Sequence, residues 1–282
     1  MTQLKTKRWN TVLSFFLLIS LQVYSEETKT IIGYANELAQ EQESDVAYFE
    51  YRRALFMDPT LRNDSSFVDR LFSASLNRGK PLNTLNELNR FQKFDLNKEC
   101  SCVAKIYEGR AYYSLENYPM SKKSFDALGK TCDEPWMSLA AYRAGLARLR
   151  LSEWKEASTS FSMVRSSSSV GVKSVWAAQE ALKGKDLRLK SSGKASLFNA
   201  LLPGAGYAYA GAPKTAIAAF ITNGLFIWGT ASAAHKGESG VAAVLGIFSV
   251  GWYFGGIFGG AVAAEKYNYD SHDKFVNLFE ID

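Results

Sequence analysis

Histidine and cysteine are scarce in this chain, which has two histidines and three cysteines among 282 residues. A zinc site needs several such ligands close together, and Cys100 and Cys102 have a Cys-x-Cys spacing rather than the Cys-x-x-Cys of metal and redox motifs. His235 and His272 lie far along the chain from any candidate nucleophile. We therefore expect no catalytic residues, no metal or other cofactor, and no enzymatic activity.

The excess of positive over negative charge is also small. A net charge of +5 is too mild for the dense basic surface of a nucleic-acid-binding protein, so nucleic acid is not an expected partner. Hydrophobic residues nevertheless make up 47% of the chain and aromatic residues 13%, which excludes a disordered protein. Most charged residues precede Lys194, and small and apolar residues dominate the last third. This shift predicts that the chain changes its solvent there.

Residues 1–25 have the order of features that marks a secretory signal peptide. Lys5 and Lys7 make a basic start, an apolar run follows at 11–21, and Ser25 offers a small residue for cleavage. We predict cleavage after Ser25. The alternative is an uncleaved signal anchor, which would leave the following domain on the same side of the membrane.

An exported chain meets oxidising conditions, so its cysteines are candidates for a disulfide. The spacing of small and aromatic residues from Gly109 to Leu128 predicts a pair of helices. Cys100 and Cys102 lie just before or at the first of these helices, and Cys132 lies at the end of the second. Antiparallel helices bring such ends together. We therefore predict a bridge from either Cys102 or Cys100 to Cys132, with one cysteine left over.

A spaced pattern of small and aromatic residues follows the signal. Ala47, Tyr51, Ala54 and Pro59 occur at i, i+4, i+7 and i+12, as in the second helix of a tetratricopeptide repeat and the proline that ends it. Small residues let two antiparallel helices cross closely, and large ones fill the groove left by the neighbouring repeat.

The same template recurs twice downstream. The matching positions are Gly109, Tyr112 and Phe125 in one copy, and Gly145, Ala157 and Phe161 in the next. The later copy departs from the pattern at Arg148, which stands where an aromatic residue belongs in the first helix. A degenerate copy around Phe72 and Leu88 precedes these two, and a capping helix around Trp176 follows them.

Residues 28–185 as a whole resemble the tetratricopeptide-repeat (TPR) proteins. The resemblance implies an all-α fold in which antiparallel helix pairs form a right-handed superhelix. It also implies a concave surface that binds a protein or peptide, whose identity the sequence does not supply.

Two runs in the last third, at 215–234 and 240–264, contain no charged residue. Each is long enough to cross the roughly 30 Å hydrocarbon layer of a bilayer as a helix. Only residues 235–239 join them, so we predict an antiparallel transmembrane hairpin at 214–264 and a tail at 265–282. The competing interpretation is a buried hairpin of a soluble protein.

Glycine recurs every four residues in the second run, at Gly251, Gly255 and Gly259. Small residues at this spacing let helix backbones approach closely in lipid. We expect this stripe to pack membrane helices together, either within the hairpin or in a homo-oligomer.

Residues 186–213 combine a basic linker with a segment broken by proline and glycine. We predict that this segment is interfacial or re-entrant, with Tyr207 and Tyr209 at the depth of the lipid headgroups. Its motif, Leu-Pro-Gly-x-Gly-x-x-Tyr-x-Gly, consists of Leu202, Pro203, Gly204, Gly206, Tyr209 and Gly211. This motif before a two-span hairpin resembles one in small uncharacterised bacterial membrane proteins. Some of those carry TPR repeats, and some are associated with the membrane-protein-insertion efficiency factor.

These features predict a bacterial inner-membrane protein whose spans contact the bilayer and whose repeats face the periplasm. The basic residues between Lys183 and Lys214 favour the opposite orientation under the positive-inside tendency, but the signal and the large exported domain outweigh them. We expect a scaffold for protein–protein interaction. The alternative is that the hairpin itself is the working part, assisting the insertion or assembly of membrane proteins or forming an oligomeric pore.

Overall fold

A computed structural model describes residues 26–129 and 131–280, and all regular secondary structure in these ranges is helical. The all-α prediction is therefore confirmed at this level. The signal peptide predicted at 1–25 lies outside the described residues. The chain divides into two compact units after Leu182.

The first unit is a stack of helices. They are α1 at residues 26–40, α2 (Ser44–Met57), α3 (Ser65–Asn77), α4 (Pro81–Phe91), α5 (Lys98–Ser114), α6 (Tyr118–Leu128), α7 (Trp136–Arg150), α8 (Trp154–Ser162) and α9 (Gly171–Ala181). Short 3-10 helices occupy Pro59–Asn63 and Leu182–Asp186. From α5 to α9 each helix packs on the next, and α3, α5, α7 and α9 also pack on one another in that order.

Side-chain caps and prolines set several of these helix starts. The side chain of Asn97 accepts a hydrogen bond from the Cys100 N–H at the start of α5, and that of Asn117 accepts one from Met120 at the start of α6. Pro59 ends the second helix as predicted, because α2 stops at Met57 and Pro59 opens a 3-10 turn.

The glycines and phenylalanines of the repeat pattern meet across helix pairs. A β-carbon at Gly109 would lie 2.6 Å from the ring of Phe125, and one at Gly145 would lie 2.5 Å from the ring of Phe161. Only residues 115–117 join α5 to α6 and only residues 151–153 join α7 to α8, so each contact lies across a short turn and the two helix pairs are antiparallel.

The other residues of the repeat pattern lie mostly in the core. Ala47, Tyr51, Ala54 and Ala157 are buried, and Tyr112 is half-buried against the core. The spacing thus marked the residues that fill the space between helices.

A disulfide joins Cys102 in α5 to Cys132 just after α6, with a Cα–Cα distance of 5.9 Å. This is one of the two pairings that the sequence left open. Cys100 is a buried free thiol. Burial raises its pKa to about 11, with a smaller contribution from the nearby Glu99 carboxylate.

The second unit holds α10 (Ser192–Leu201), α11 (Ala205–Tyr209), α12 (Pro213–His235) and α13 (Ser239–Val276). By length and composition α12 and α13 can each cross a membrane. They pack on each other, and α10 packs on α13. Because α13 continues as one helix to Val276, most of the predicted tail at 265–282 is helical.

Candidate functional site

Residues 190–200, the first part of the Pro-Gly segment, run antiparallel to α13. The side chain of Asn268 pairs with the backbone of Lys190, accepting from its N–H at 2.6 Å and donating to its carbonyl at 2.8 Å. At the other end of α10, the Tyr253 hydroxyl donates to the Ala200 carbonyl. The chain therefore moves along α13 from Asn268 to Tyr253.

The chain then turns and returns to its starting level. After the turn, α11 packs on both α12 and α13. The Ser191 N–H donates to the Tyr209 hydroxyl oxygen at 3.1 Å, and Gly211 lies beside the ring of Tyr267. Residues 190–211 thus form a helical hairpin whose two ends meet at the polar end of α13.

The turn of this hairpin lies about halfway along the charge-free run 240–264. Tyr253 is roughly 16 Å of helix away from Ala264, where that run ends, and this is about half of a bilayer's hydrocarbon thickness. Tyr209 stays at the polar end, whereas the ring of Tyr207 reaches Gly259. Tyr207 therefore lies further into the charge-free run than Tyr209, and the headgroup depth of the two tyrosines stays a prediction.

A single buried amide joins the three segments at this turn. Asn199 is 2% exposed. Its Nδ2 donates to the Gly256 carbonyl of α13 at 2.6 Å, and its Oδ1 accepts from the Gly206 N–H of α11 at 2.7 Å. Both functional ends of the amide are used, so α10, α11 and α13 are held in one arrangement. Sequence reasoning missed Asn199; the signal available was a lone amide within an apolar stretch.

Backbone contact explains the glycines of the motif. Gly204 has a φ of +96°, and a β-carbon there would collide with the Ala216 carbonyl of α12. A β-carbon at Gly206 would collide with the Ala195 carbonyl of α10. Each glycine therefore permits a close approach of two backbones that any side chain would prevent.

The predicted glycine stripe of α13 divides into two parts. Gly259 packs against Tyr207, while a β-carbon at Gly251 or Gly255 would meet no atom within 4 Å. Gly251 and Gly255 instead line an apolar cavity of about 740 Å³ between α12 and α13. One of the two expectations was that the stripe packs α12 against α13 within the hairpin. At Gly251 and Gly255 it does not, because these two residues face the cavity.

Polar groups interrupt the wall of this cavity. Tyr207, Thr215, Thr222 and Asn223 line it together with the two glycines and Trp252. Asn223 is 3% exposed, and its Nδ2 donates to the Ala219 carbonyl within α12.

In the first unit, α3, α5 and α7 line a cavity of about 230 Å³ with an excess of positive charge. Arg110 from α5 and Arg143 from α7 both face it, beside Tyr113. The Arg110 guanidinium lies over the Tyr107 ring at 4.7 Å. We call this cavity the arginine groove.

Neither arginine of the groove has a carboxylate partner in the part of the chain that the structure describes. The Nε of Arg143 is buried and donates no hydrogen bond there. Burial, and next the charge of Arg110, lower the pKa of Arg143. Two uncompensated cations side by side favour an anionic ligand.

A second cavity, of about 400 Å³, lies between α2 and α4. Arg62 stacks on Phe94 there with 4.1 Å between the guanidinium carbon and the ring centroid, and Arg90 faces the same space. Glu87 in its wall already pairs with Arg52 at 3.4 Å. Three arginines and one carboxylate line this cavity, so its net charge equals that of the arginine groove; the groove differs because no carboxylate lines it.

Among the residues that the structure describes, no three His, Cys, Asp or Glu side chains are grouped as a metal site would require. Comparison with family models, with curated proteins and with solved structures finds no match to this chain.

Proposed function

We propose that this protein is a membrane-anchored, TPR-like scaffold whose repeats bind an acidic segment of another protein on the extracytoplasmic side. The spacing of the repeat residues and the Gly109–Phe125 and Gly145–Phe161 contacts support the TPR-like assignment. The two apolar helices α12 and α13 support the membrane anchor.

The observation that carries the proposal is the pair of unpaired guanidiniums in the arginine groove. A carboxylate matches the planar fork of arginine and can accept two hydrogen bonds from it. The groove is small, and Leu76, Phe125 and Leu146 line it as well. Such a mixed site fits a carboxylate that is flanked by an apolar side chain, as in a peptide.

The orientation follows from the signal and from the number of spans. A signal peptide at 1–25 exports the repeats, and two spans return α13 to the side on which α10 begins. The bacterial inner membrane fits helical spans, since outer-membrane proteins normally span as β-barrels. The Nζ of Lys190 lies 5.0 Å from the Tyr209 ring centroid and 5.4 Å from that of Tyr267. At the extracytoplasmic surface this cation can contact anionic lipid headgroups, so the basic residues before the first span do not require a cytoplasmic location.

Peptide binding to the full-length protein in lipid nanodiscs tests the ligand class. We expect fluorescent peptides carrying Asp or Glu beside an apolar residue to bind, and their amide counterparts with Asn or Gln to bind at least tenfold more weakly. Arg110→Gln and Arg143→Gln should each weaken binding about tenfold or more, because a hydrogen bond to a charged group is worth roughly 1.5–3 kcal/mol.

Two matched variants sharpen this test. Arg53→Gln removes an exposed arginine outside both cavities and should leave the affinity unchanged. Arg90→Gln alters the cavity between α2 and α4. If Arg90→Gln weakens binding and the arginine-groove variants do not, the proposed site is wrong. Equal binding of the acidic and amide peptides would refute the ligand class.

The transmembrane hairpin of α12 and α13, with α10 and α11 packed on it, is a second candidate for the functional part of this protein. The Asn199 amide and the close backbone contacts at Gly204 and Gly206 define one arrangement more closely than a tether requires. This would suit a component that assists the insertion or assembly of membrane proteins. If the signal fused to residues 183–282 restores membrane-protein insertion in cells that lack the full chain, this candidate is favoured over the scaffold.

A further inference from the structure

The cavity between α12 and α13 holds a polar group with unused bonding capacity at membrane depth. Asn223 is 97% buried, and its only hydrogen bond among the described residues is the donation to its own helix at Ala219, at 2.8 Å. Its Oδ1 therefore accepts no bond there. An amide oxygen without a donor is costly in hydrocarbon, where no water compensates for it.

The same cavity offers a place where a helix backbone can come close. Gly251 and Gly255 are one helical turn apart on α13, and a β-carbon on either would meet nothing within 4 Å. Both line the cavity together with Asn223. A surface without side chains next to an amide is the combination by which membrane helices associate, through close packing and interhelical hydrogen bonds.

The amide decides what kind of occupant fits. A lipid acyl chain would fill the volume but would leave the Asn223 oxygen unbonded. A protein helix with a donor at the right depth satisfies it. The occupant is therefore a helix that carries a hydrogen-bonding side chain.

A second copy of this hairpin meets that requirement with no other component. Copies inserted in the same orientation are related by a two-fold axis along the membrane normal, so residues at one depth face their own equivalents. Asn223 lies twelve residues before the end of α12 at His235, and Gly251 lies twelve residues after the start of α13 at Ser239, so the two lie at about the same depth. Both line the cavity, as does Gly255. An amide both donates and accepts, so two copies of Asn223 can bond to each other.

Given that α12 and α13 span a bilayer, we infer that this protein forms a parallel homodimer through the α12–α13 cavity. The α13 helices cross at Gly251 and Gly255, and the Asn223 amides of the two copies hydrogen-bond beside the crossing. This interface is separate from the arginine groove, so either can fail without the other.

Energy transfer between labelled full-length chains in phosphatidylcholine liposomes tests the dimer. A Lys236→Cys label site lies in the exposed loop between the spans, and the native cysteines are either bonded or buried. We expect transfer that persists as the protein-to-lipid ratio falls. Gly255→Ile should weaken association at least tenfold, because it fills the crossing point. It should leave helicity unchanged, since its side chain enters open space within the monomer.

Gly224→Ile is the matched control. Gly224 is also an exposed glycine with nothing within 4 Å of its β-carbon position, but it is not part of the cavity wall. We expect it to dimerise like the unsubstituted chain. Asn223→Leu should weaken the dimer roughly threefold or more, as expected for an interhelical hydrogen bond.

Several results would overturn the inference. The dimer is wrong if the unsubstituted chain stays monomeric at every protein-to-lipid ratio, and the cavity would then hold a lipid chain or another protein's helix. It is also wrong if Gly255→Ile associates as strongly as the unsubstituted chain, or if Gly255→Ile and Gly224→Ile weaken association equally. Undiminished association of Asn223→Leu overturns the assigned amide contact.

Discussion

The Phe125 ring lies against the backbone of Gly109, and a β-carbon on that glycine would stand 2.6 Å from the ring's Cε1. Phe125 is 1% exposed, so the ring has no room to withdraw. We expect Gly109→Ala to lower the free energy of unfolding by about 1–3 kcal/mol, as overpacking does in other cores. Chemical unfolding followed by tryptophan fluorescence measures the loss.

Gly33→Ala is the control for this substitution. Gly33 lies within α1, and a β-carbon there would meet nothing within 4 Å. Alanine should therefore stabilise the helix by roughly 0.5–1 kcal/mol. If Gly109→Ala is as stable as Gly33→Ala, the close contact with Phe125 is not a constraint on this fold.

The disulfide predicts a difference between the three cysteines. Cys102→Ser with Cys132→Ser opens a crosslink between positions separated by 30 residues, and the chain-entropy relation gives a loss of about 3.6 kcal/mol. Thermal unfolding with and without reductant should show the same difference for the unsubstituted chain.

Cys100 should resist alkylation in the folded protein. Its thiol is buried and its pKa is raised to about 11, so the reactive thiolate is scarce near neutral pH. Mass spectrometry after treatment with iodoacetamide at pH 8 should find Cys100 unmodified until the protein is unfolded. Rapid labelling under native conditions would contradict the buried position.

Alkaline pH should destabilise the first unit through Tyr107. Burial raises its pKa to about 12 from the usual value near 10. Because the folded state holds the proton more tightly, the stabilisation is complete below pH 10 and is lost as the pH rises through about 12. The loss for this group is about 2 kcal/mol at pH 12 and approaches about 3 kcal/mol only above it.

Unfolding measured between pH 8 and 11.5, together with the tyrosinate absorbance, checks this slope. Tyr107→Phe should reduce it. The same variant loses the hydrogen bond from the Tyr107 hydroxyl to Asp69 Oδ1, at 3.0 Å, and so should be less stable at pH 8. A slope as steep in Tyr107→Phe as in the unsubstituted chain would assign the alkaline sensitivity to other groups.

Single cysteines at the two ends of the spans test the membrane arrangement. Lys185→Cys and Lys274→Cys should react with a membrane-impermeant maleimide from one side, and Lys236→Cys only from the other. Leu202→Cys, at the turn of the α10–α11 hairpin, should react from neither side until detergent is added. The unsubstituted chain is the blank.

The labelling pattern separates three arrangements. Reaction of Lys236→Cys and Lys274→Cys from the same side would contradict two complete spans. Reaction of Leu202→Cys from the side that labels Lys185→Cys would place the Pro-Gly segment at the surface rather than within the membrane.

Much of the fold could be predicted because its determinants are local. The spacing of small and aromatic residues around Ala47 and Tyr51 follows from helix periodicity, and the charge-free runs at 215–234 and 240–264 follow from the exclusion of charge from hydrocarbon. Both patterns lie within one or two helices, so reading along the chain is enough to see them.

The choice between two cysteines that are two residues apart depends instead on which side of α5 faces the end of α6. The structure turns Cys102 towards Cys132 and Cys100 into the core. The partner of Arg148 also depends on how the helices face each other. Arg148 stands at an aromatic position of the repeat pattern and forms a bidentate ion pair with Asp126 of α6, with N–O distances of 2.8 and 2.9 Å. No spacing rule supplied that partner.

The amino-acid sequence by itself determined the helical class, the buried positions of the spaced pattern and the two helices long and apolar enough to span a membrane, because helix periodicity and hydropathy act between near neighbours. Only the tertiary structure decided that Asn199 joins three segments, that Gly251 and Gly255 face a cavity, and that Arg110 and Arg143 share one groove. Most of these relationships join residues tens of positions apart, such as Asn199 with Gly256 and Arg110 with Arg143. Whether a charge is paired, an amide satisfied or a glycine covered depends on the orientation of whole helices about their axes.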